Sequence, residues 1–229
     1  MKRGFQVFIL FFSIALLMAA AWLLTQKHSP FYKPIADYEL ITPIKQLSAQ
    51  DLDAVISPFL GKSFWDIPIN EIQASLTRLD WVYQAEVQRK WPNLLYIAVH
   101  EQKPVARWGE NALMNHSGEV FFPHSIIGFE NLVRLNGSLD NSEKVLRTLI
   151  TLQKDLQVLE LLIEEINLSV DNVWKIHLLN GPKIVLDSLN YQQKLQRFLK
   201  AYPKLTNEMR KSARVYDLRY SNGFIVAKK

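Results

Sequence analysis

The chain has 229 residues, 27 Lys and Arg against 22 Asp and Glu, and no cysteine. The absence of thiols excludes disulfides, thiolate metal sites and a cysteine nucleophile, without fixing the compartment. The formal charge of +5 comes with no block of five or six basic residues, so nucleic acid is not an expected partner. A mildly basic solvated surface, an acidic protein segment or an anionic membrane face all fit that balance.

After Met1–Gly4 comes FQVFILFFSIALLMAAAWLL, Phe5 to Leu24, with Gln6 and Ser13 its only polar residues. About 20 apolar residues at a rise of about 1.5 Å span the roughly 30 Å hydrocarbon layer. A cleaved signal peptide is the competing reading, with small residues at 18–21, but the apolar run continues through Trp22-Leu23-Leu24. Lys2 and Arg3 favour a cytoplasmic N-terminus. The expected layout is a cytoplasmic stub (1–4), a transmembrane helix (5–24), a linker stiffened by Pro30 and Pro34 (25–34), and an exported bulk.

Tyr38 to Ile44 reads as a short strand. Ser48 and Asp51 form a capping box for a helix carrying Leu52, Val55, Ile56, Phe59 and Leu60, closed by Pro58 and Gly61. Asn70 is the expected cap of a second helix with Ile72, Leu76 and Leu79 on its core stripe. Period-two alternation then places Trp81, Tyr83, Ala85 and Val87 on one side of a strand, with Val82 the apolar exception opposite. Trp91-Pro92-Asn93 breaks the pattern, and Leu95, Ile97 and Val99 resume it on a second strand. Strand, helix, helix, strand, strand makes a compact module with one sheet face or edge left available.

From Lys103 short strands alternate with turns: Val105–Trp108, Ala112–Met114, Val120–Phe122 and Leu132–Leu135. Asp140 or Ser142 is expected to cap a helix bearing Leu146, Leu149, Ile150 and Leu156. Strands follow at Ile163–Leu168, Val173–Leu178 and, past the hairpin signal Asn180-Gly181, Lys183–Leu186. Tyr191–Tyr202 is an amphipathic helix stopped by Pro203. The last strand is read as Arg214–Tyr220, which Ser221-Asn222-Gly223 can turn into Phe224–Ala227.

Chemistry is hard to find. His28, His100, His116, His124 and His177 show no metal-ligand spacing, and no phosphate loop, nucleophile elbow or dinucleotide glycine pattern occurs. Glu164 and Glu165 are neighbours on a strand and point to opposite faces. No catalytic residue, cofactor or metal site is expected. The C-terminal segment is more informative. A late strand is often a sheet edge with unpaired N–H and C=O groups that accept another chain's strand. Arg210, Lys211, Arg214, Arg219, Lys228 and Lys229 surround it against Glu208 and Asp217. Such an edge either recruits an acidic segment or is protected by its lysines; the residues alone leave both open.

Leu79-Asp80-Trp81-Val82, Arg89-Lys90-Trp91-Pro92-Asn93, Val105-Ala106-Arg107-Trp108 and Tyr216-Asp217-Leu218-Arg219-Tyr220-Ser221-Asn222-Gly223 together resemble the bacterial FtsQ/DivIB cell-division family, of the proteobacterial type. The resemblance implies an α+β chain: a transmembrane helix, a POTRA module (β-α-α-β-β, residues 35–101), then a mixed β-domain with flanking helices (102–229). It implies a non-catalytic scaffold in the inner membrane at the division septum, with its bulk in the periplasm. That scaffold would bind FtsB and FtsL through the last strand of the β-domain and link FtsK to FtsW and FtsI. By position, Arg219, Tyr220, Asn222, Gly223 and Phe224 would lie on the FtsB-binding edge, Arg219 facing an acidic residue. Gln84, Val87 and Arg89 would fall in a recruitment surface for earlier division proteins. The sequence departs from the family in its stub of about four residues, in Thr42-Pro43 where a glycine is usual, and in Lys228 where an aromatic is common. A POTRA-bearing envelope assembly or secretion component is the alternative, although neither repeated modules nor a long alternating barrel is visible.

Overall fold

The computed structural model describes residues 2–25 and 33–228; Met1, Lys229 and most of the expected linker lie outside them. The chain divides into two compact units, Met1–Gln102 and Lys103–Lys229. Helix α1, Lys2–Thr25, is uninterrupted over 24 residues, about 36 Å. Its Phe5–Trp22 stretch is apolar and long enough to cross a membrane, and none of it is buried within the structure. The Ser13 hydroxyl donates to the Leu10 carbonyl at 2.8 Å, which satisfies that polar group inside the helix.

The rest of the first unit follows the expected β-α-α-β-β order: β1 (Asp37–Leu40), α2 (Ala49–Ile56), α3 (Ile69–Leu76), β2 (Val82–Lys90) and β3 (Leu94–Glu101). The sheet order is β1-β3-β2, with β1 parallel and β2 antiparallel to the central β3. Ser48 caps α2, its side chain accepting from the Asp51 N–H. Asn70 does not cap α3; Pro68 stands at that position, its carbonyl accepting from Glu71 and Ile72, and Asn70 lies in the first turn. Leu52, Ile56, Ile72 and Leu76 pack onto Ala85, Val87, Leu95, Ile97 and Val99. Each such large aliphatic side chain contributes about 2 kcal/mol on burial.

One strand face differs from its reading. Val82 is buried and Tyr83 is turned outward, because the register with β3 shifts between Val82 and Gln84. The bulge flips the phase, so the apolar exception in the alternation belongs to the core. Thr42 bonds both backbone groups of Val99: its hydroxyl donates to the carbonyl (2.9 Å) and accepts from the N–H (2.8 Å). Nearby the Glu101 carboxylate accepts from the N–H groups of Lys45, Gln46 and Leu47 at 2.8–3.0 Å. Both contacts tie the loop before α2 to β3.

The second unit is a nine-stranded mixed sheet, built from β4 (Pro104–Trp108), β5 (Ala112–Asn115), β6 (Val120–Phe121), β7 (Arg134–Asn136), β8 (Ile163–Leu168), β9 (Val173–Leu178), β10 (Lys183–Asp187), β11 (Ala213–Asp217) and β12 (Ile225–Lys228). Their spatial order is β12-β11-β10-β9-β8-β7-β4-β5-β6. Helix α4 (Ser142–Gln157) packs over β7 and β8, and α5 (Tyr191–Ala201) over β10. Val145, Leu146, Leu149, Leu152 and Leu156 form the buried stripe of α4, while Ile150 points to solvent, about 100° round from Leu149. Neither Asp140 nor Ser142 caps that helix; a short helical turn at Leu139–Asn141 leads into it and Asn141 stands at the cap. A further helix, α6 (Asn207–Ser212), is absent from the sequence reading and is capped by the Thr206 hydroxyl. On the sheet face away from the helices, strand register aligns Arg134, Glu165, His177 and Lys183 in one row. Glu165 is its hub, accepting from Asn136 at 2.9 Å and lying 3.7 Å from Arg134.

Candidate functional site

The strand expected to be the free edge is not free. β11 ends at Asp217 rather than Tyr220, and both its flanks are occupied, by β10 in parallel and by β12 in antiparallel register. The edge of the sheet is β12, the ribbon that Ser221-Asn222-Gly223 turns back against β11, and no described strand lies on its outer side. Residues Arg219, Tyr220, Asn222, Gly223 and Phe224 therefore occupy the loop between β11 and β12, beside the edge rather than on it.

That loop is fixed from below by α5. Lys194 donates to both carboxylate oxygens of Asp187 (2.6 and 2.7 Å) and to the carbonyl of Arg219 (2.8 Å). Its side chain is only 12% exposed. Arg197, one turn on, reaches the Tyr220 carbonyl at 3.4 Å. The Leu218 N–H donates to Val185 on β10 at 2.8 Å. Phe224 closes the loop by packing its ring against Phe198 (5.3 Å between centroids) and Tyr216 (6.2 Å). Tyr216 is wholly buried, and burial pushes its phenol up to about 12. These anchors hold the loop's backbone and leave the Arg219 and Tyr220 side chains outward.

The electrostatics of Arg219 depend on its own chain. Asp217, two residues back on extended backbone, accepts from its Nε at 2.9 Å and its Nη2 at 2.6 Å. Such i, i+2 neighbours share a face, which makes Asp-x-Arg a readable signal. The hydrogen bond from Arg219 holds the Asp217 carboxyl below its ordinary value and raises the guanidinium in turn. The guanidinium is half exposed, so a second carboxylate can still reach it. Arg214 and Lys228 add exposed basic side chains on β11 and β12, while Arg210 lies over the Tyr202 ring at 5.6 Å. A Cβ at Gly223 would meet no atom within 4 Å, which leaves the backbone there open to an approaching chain.

The residues named on β2 divide. Gln84 is exposed, on the outer strand of the three-stranded sheet. Val87 is buried in the core, so its side chain cannot belong to a recruitment surface; the alternation that marks it as apolar also turns it inward. Arg89 is exposed but crosses to the carbonyls of Ile67 (2.9 Å) and Trp65 (3.3 Å). Among the described residues no group of His, Cys, Asp or Glu is arranged to hold a metal ion.

Comparison with known proteins agrees with this architecture. Residues 41–102 match the family described as POTRA domain, FtsQ-type, and residues 106–219 match Cell division protein FtsQ/DivIB, C-terminal. The second match stops at Arg219, inside the loop and short of β12. Proteins named Cell division protein FtsQ resemble the chain over most of its length. That of Xanthomonas campestris is 30% identical over 86% of this chain and 70% of its own. Those of Shewanella oneidensis and Haemophilus influenzae are 33% identical (77% and 67%) and 31% identical (85% and 77%). The chain belongs to the FtsQ/DivIB family of bacterial cell-division proteins.

Proposed function

We propose that this chain is a single-pass, non-catalytic scaffold of the division machinery that captures the FtsB–FtsL pair on the β12 edge and its loop. The supporting observation is an edge strand with no described strand on its outer side, next to a loop whose backbone is clamped by α5 and whose Arg219 and Tyr220 side chains face out. A partner strand added to β12 gains backbone hydrogen bonds along the edge, and an acidic residue beside it meets Arg219. Asn222 and Gly223 give close approach at the turn, and Phe224 holds the turn to the core. In this reading residues 1–4 are cytoplasmic, 5–24 span the inner membrane, 25–34 link, 35–101 form the POTRA module and 102–229 the β-domain, both in the periplasm at the septum. The outer strand β2, with Gln84 and Arg89, faces earlier division proteins such as FtsK, and the scaffold links them to FtsW and FtsI. No cofactor, nucleic acid or small-molecule substrate enters the scheme. A fluorescent fusion should form a midcell band, and purified chain should retain FtsB. Uniform envelope fluorescence together with no retention of FtsB would discard the proposal.

A further inference from the structure

The end of the first unit that receives the chain from α1 is assembled from three segments. Pro34 bridges to Ser63, and the Ile35 N–H donates to the Lys62 carbonyl at 2.9 Å. The Ala36 N–H donates to the Asn93 carbonyl, also at 2.9 Å. The first residues are thus sewn to the 62–67 loop and to the tip of the β2–β3 hairpin. Arg89 braces those two against each other through the carbonyls of Ile67 and Trp65.

This braced end displays two large indoles, Trp65 at 57% and Trp91 at 59% exposure. Neither is packed into the core, in contrast to Trp174 and Trp108 of the second unit. Lys33, Lys62, Arg89 and Lys90 are exposed on these three segments, with Asp37 and Asp66 exposed near them in sequence and Glu39 close enough to act on Lys90. Lys62 rides over the Phe59 ring at 5.0 Å and Lys90 over Tyr96 at 4.8 Å. Exposed tryptophan with lysine is the composition that settles at a membrane–water interface, where the indole is half-immersed and the ammonium meets lipid phosphate. Chain length then selects the occupant. Nine peptide steps separate Thr25, the end of α1, from Pro34, a reach of at most about 30 Å. Whatever else the unit does, this end stays within that distance of the bilayer surface.

We infer that the Trp65–Trp91 end of the first unit docks on the lipid headgroups of the leaflet from which it emerges, setting the height and tilt of the module above the membrane. The inference rests on α1 spanning that bilayer, as proposed above. The absence of cysteine in the chain makes single spin labels clean. The full chain is placed in nanodiscs of phosphatidylethanolamine and phosphatidylglycerol, with a label at Phe12→Cys, Asp66→Cys or His100→Cys. His100 is exposed on β3 and lies about 20 Å along that strand from the hairpin tip. Labels at 12 and 66 should relax faster with lipid-dissolved oxygen than with a water-soluble nickel complex, and the label at 100 should do the reverse. Adding Trp65→Ser and Trp91→Ser should return the label at 66 to the aqueous pattern. A lipid signal at 12 with an aqueous one at 66, or a lipid signal at 66 that survives loss of both tryptophans, overturns the docking while leaving the anchor intact. An aqueous signal at 12 refutes the anchor and the docking together.

Discussion

Replacing Lys194 with methionine keeps the apolar stem and removes one ammonium that serves three acceptors. Two are the oxygens of Asp187 at 2.6 and 2.7 Å, and the third is the Arg219 carbonyl at 2.8 Å. Charge-assisted bonds of this kind are worth about 1.5–3 kcal/mol when sheltered. Asp187 is a third exposed, so water compensates part of its loss. A cost of about 2 kcal/mol is the resulting figure, or roughly a 30-fold rise in the population with the loop detached. Hydrogen exchange reads that population at the Leu218 amide, which is bonded to Val185. Its protection should fall about 30-fold, and FtsB should bind more weakly by a smaller factor, because most molecules still hold the loop closed. Lys200→Met removes the same charge from an exposed position of α5 and should change neither readout. Unaltered exchange at Leu218 in Lys194→Met would show that α5 does not position the loop.

Arg219→Glu and Tyr220→Ala should each abolish FtsB capture in pull-down. Tyr220→Ala should shift the unfolding midpoint little, since its side chain is on the surface, whereas Arg219→Glu also removes the partner of Asp217 and should lower the midpoint while leaving the far-UV spectrum folded. Glu101→Ala strips the shared acceptor from the N–H groups of Lys45, Gln46 and Leu47 and should cost about 2 kcal/mol in urea unfolding of the first unit. Phe198→Ala removes the ring shared by Tyr202, Tyr216 and Phe224 and should cost about 3–5 kcal/mol, with the β11–β12 loop losing exchange protection first. Acid should have a delayed effect on the Asp217–Arg219 pair. The folded carboxyl titrates below its ordinary value of 3.8, so its contribution is complete above that value and is lost as pH falls through the depressed one. The carboxylate signal of Asp217 by NMR should therefore stay ionised from about pH 8 down to about pH 4.

Most element positions were legible because their periodicity is strong. Ile163–Leu168 and Val173–Leu178 occur as read, and the Ser48 hydroxyl caps α2 by accepting from the Asp51 N–H while donating to the Asp51 carboxylate. The misreadings have local physical causes. Strict alternation puts Tyr83 on the core face because a bulge is invisible to it, although Val82 is the bulge's trace. Asn70 stands out as a cap because side-chain capping is the readable signal, whereas Pro68 caps α3 without any side-chain hydrogen bond. The site was legible as a place and not as a geometry. The segment from Arg219 to Phe224 stands out in the sequence, but strand order across a sheet depends on long-range pairing, so local pattern points to β11 as the edge that β12 in fact provides. Lys194 and Arg197 carry no such signal, because nothing in a helix sequence says which loop lies above it.

The most direct test of the edge is disulfide mapping in the cysteine-free chain. Ile225→Cys, Val226→Cys and Ala227→Cys would be crossed with a cysteine scan of the C-terminal part of FtsB. A strand laid against β12 predicts cross-links that step along the two chains in one register and alternate between the two sheet faces. Cross-links without periodicity, or capture of FtsB by the wild-type chain with none at β12, would contradict docking by strand addition.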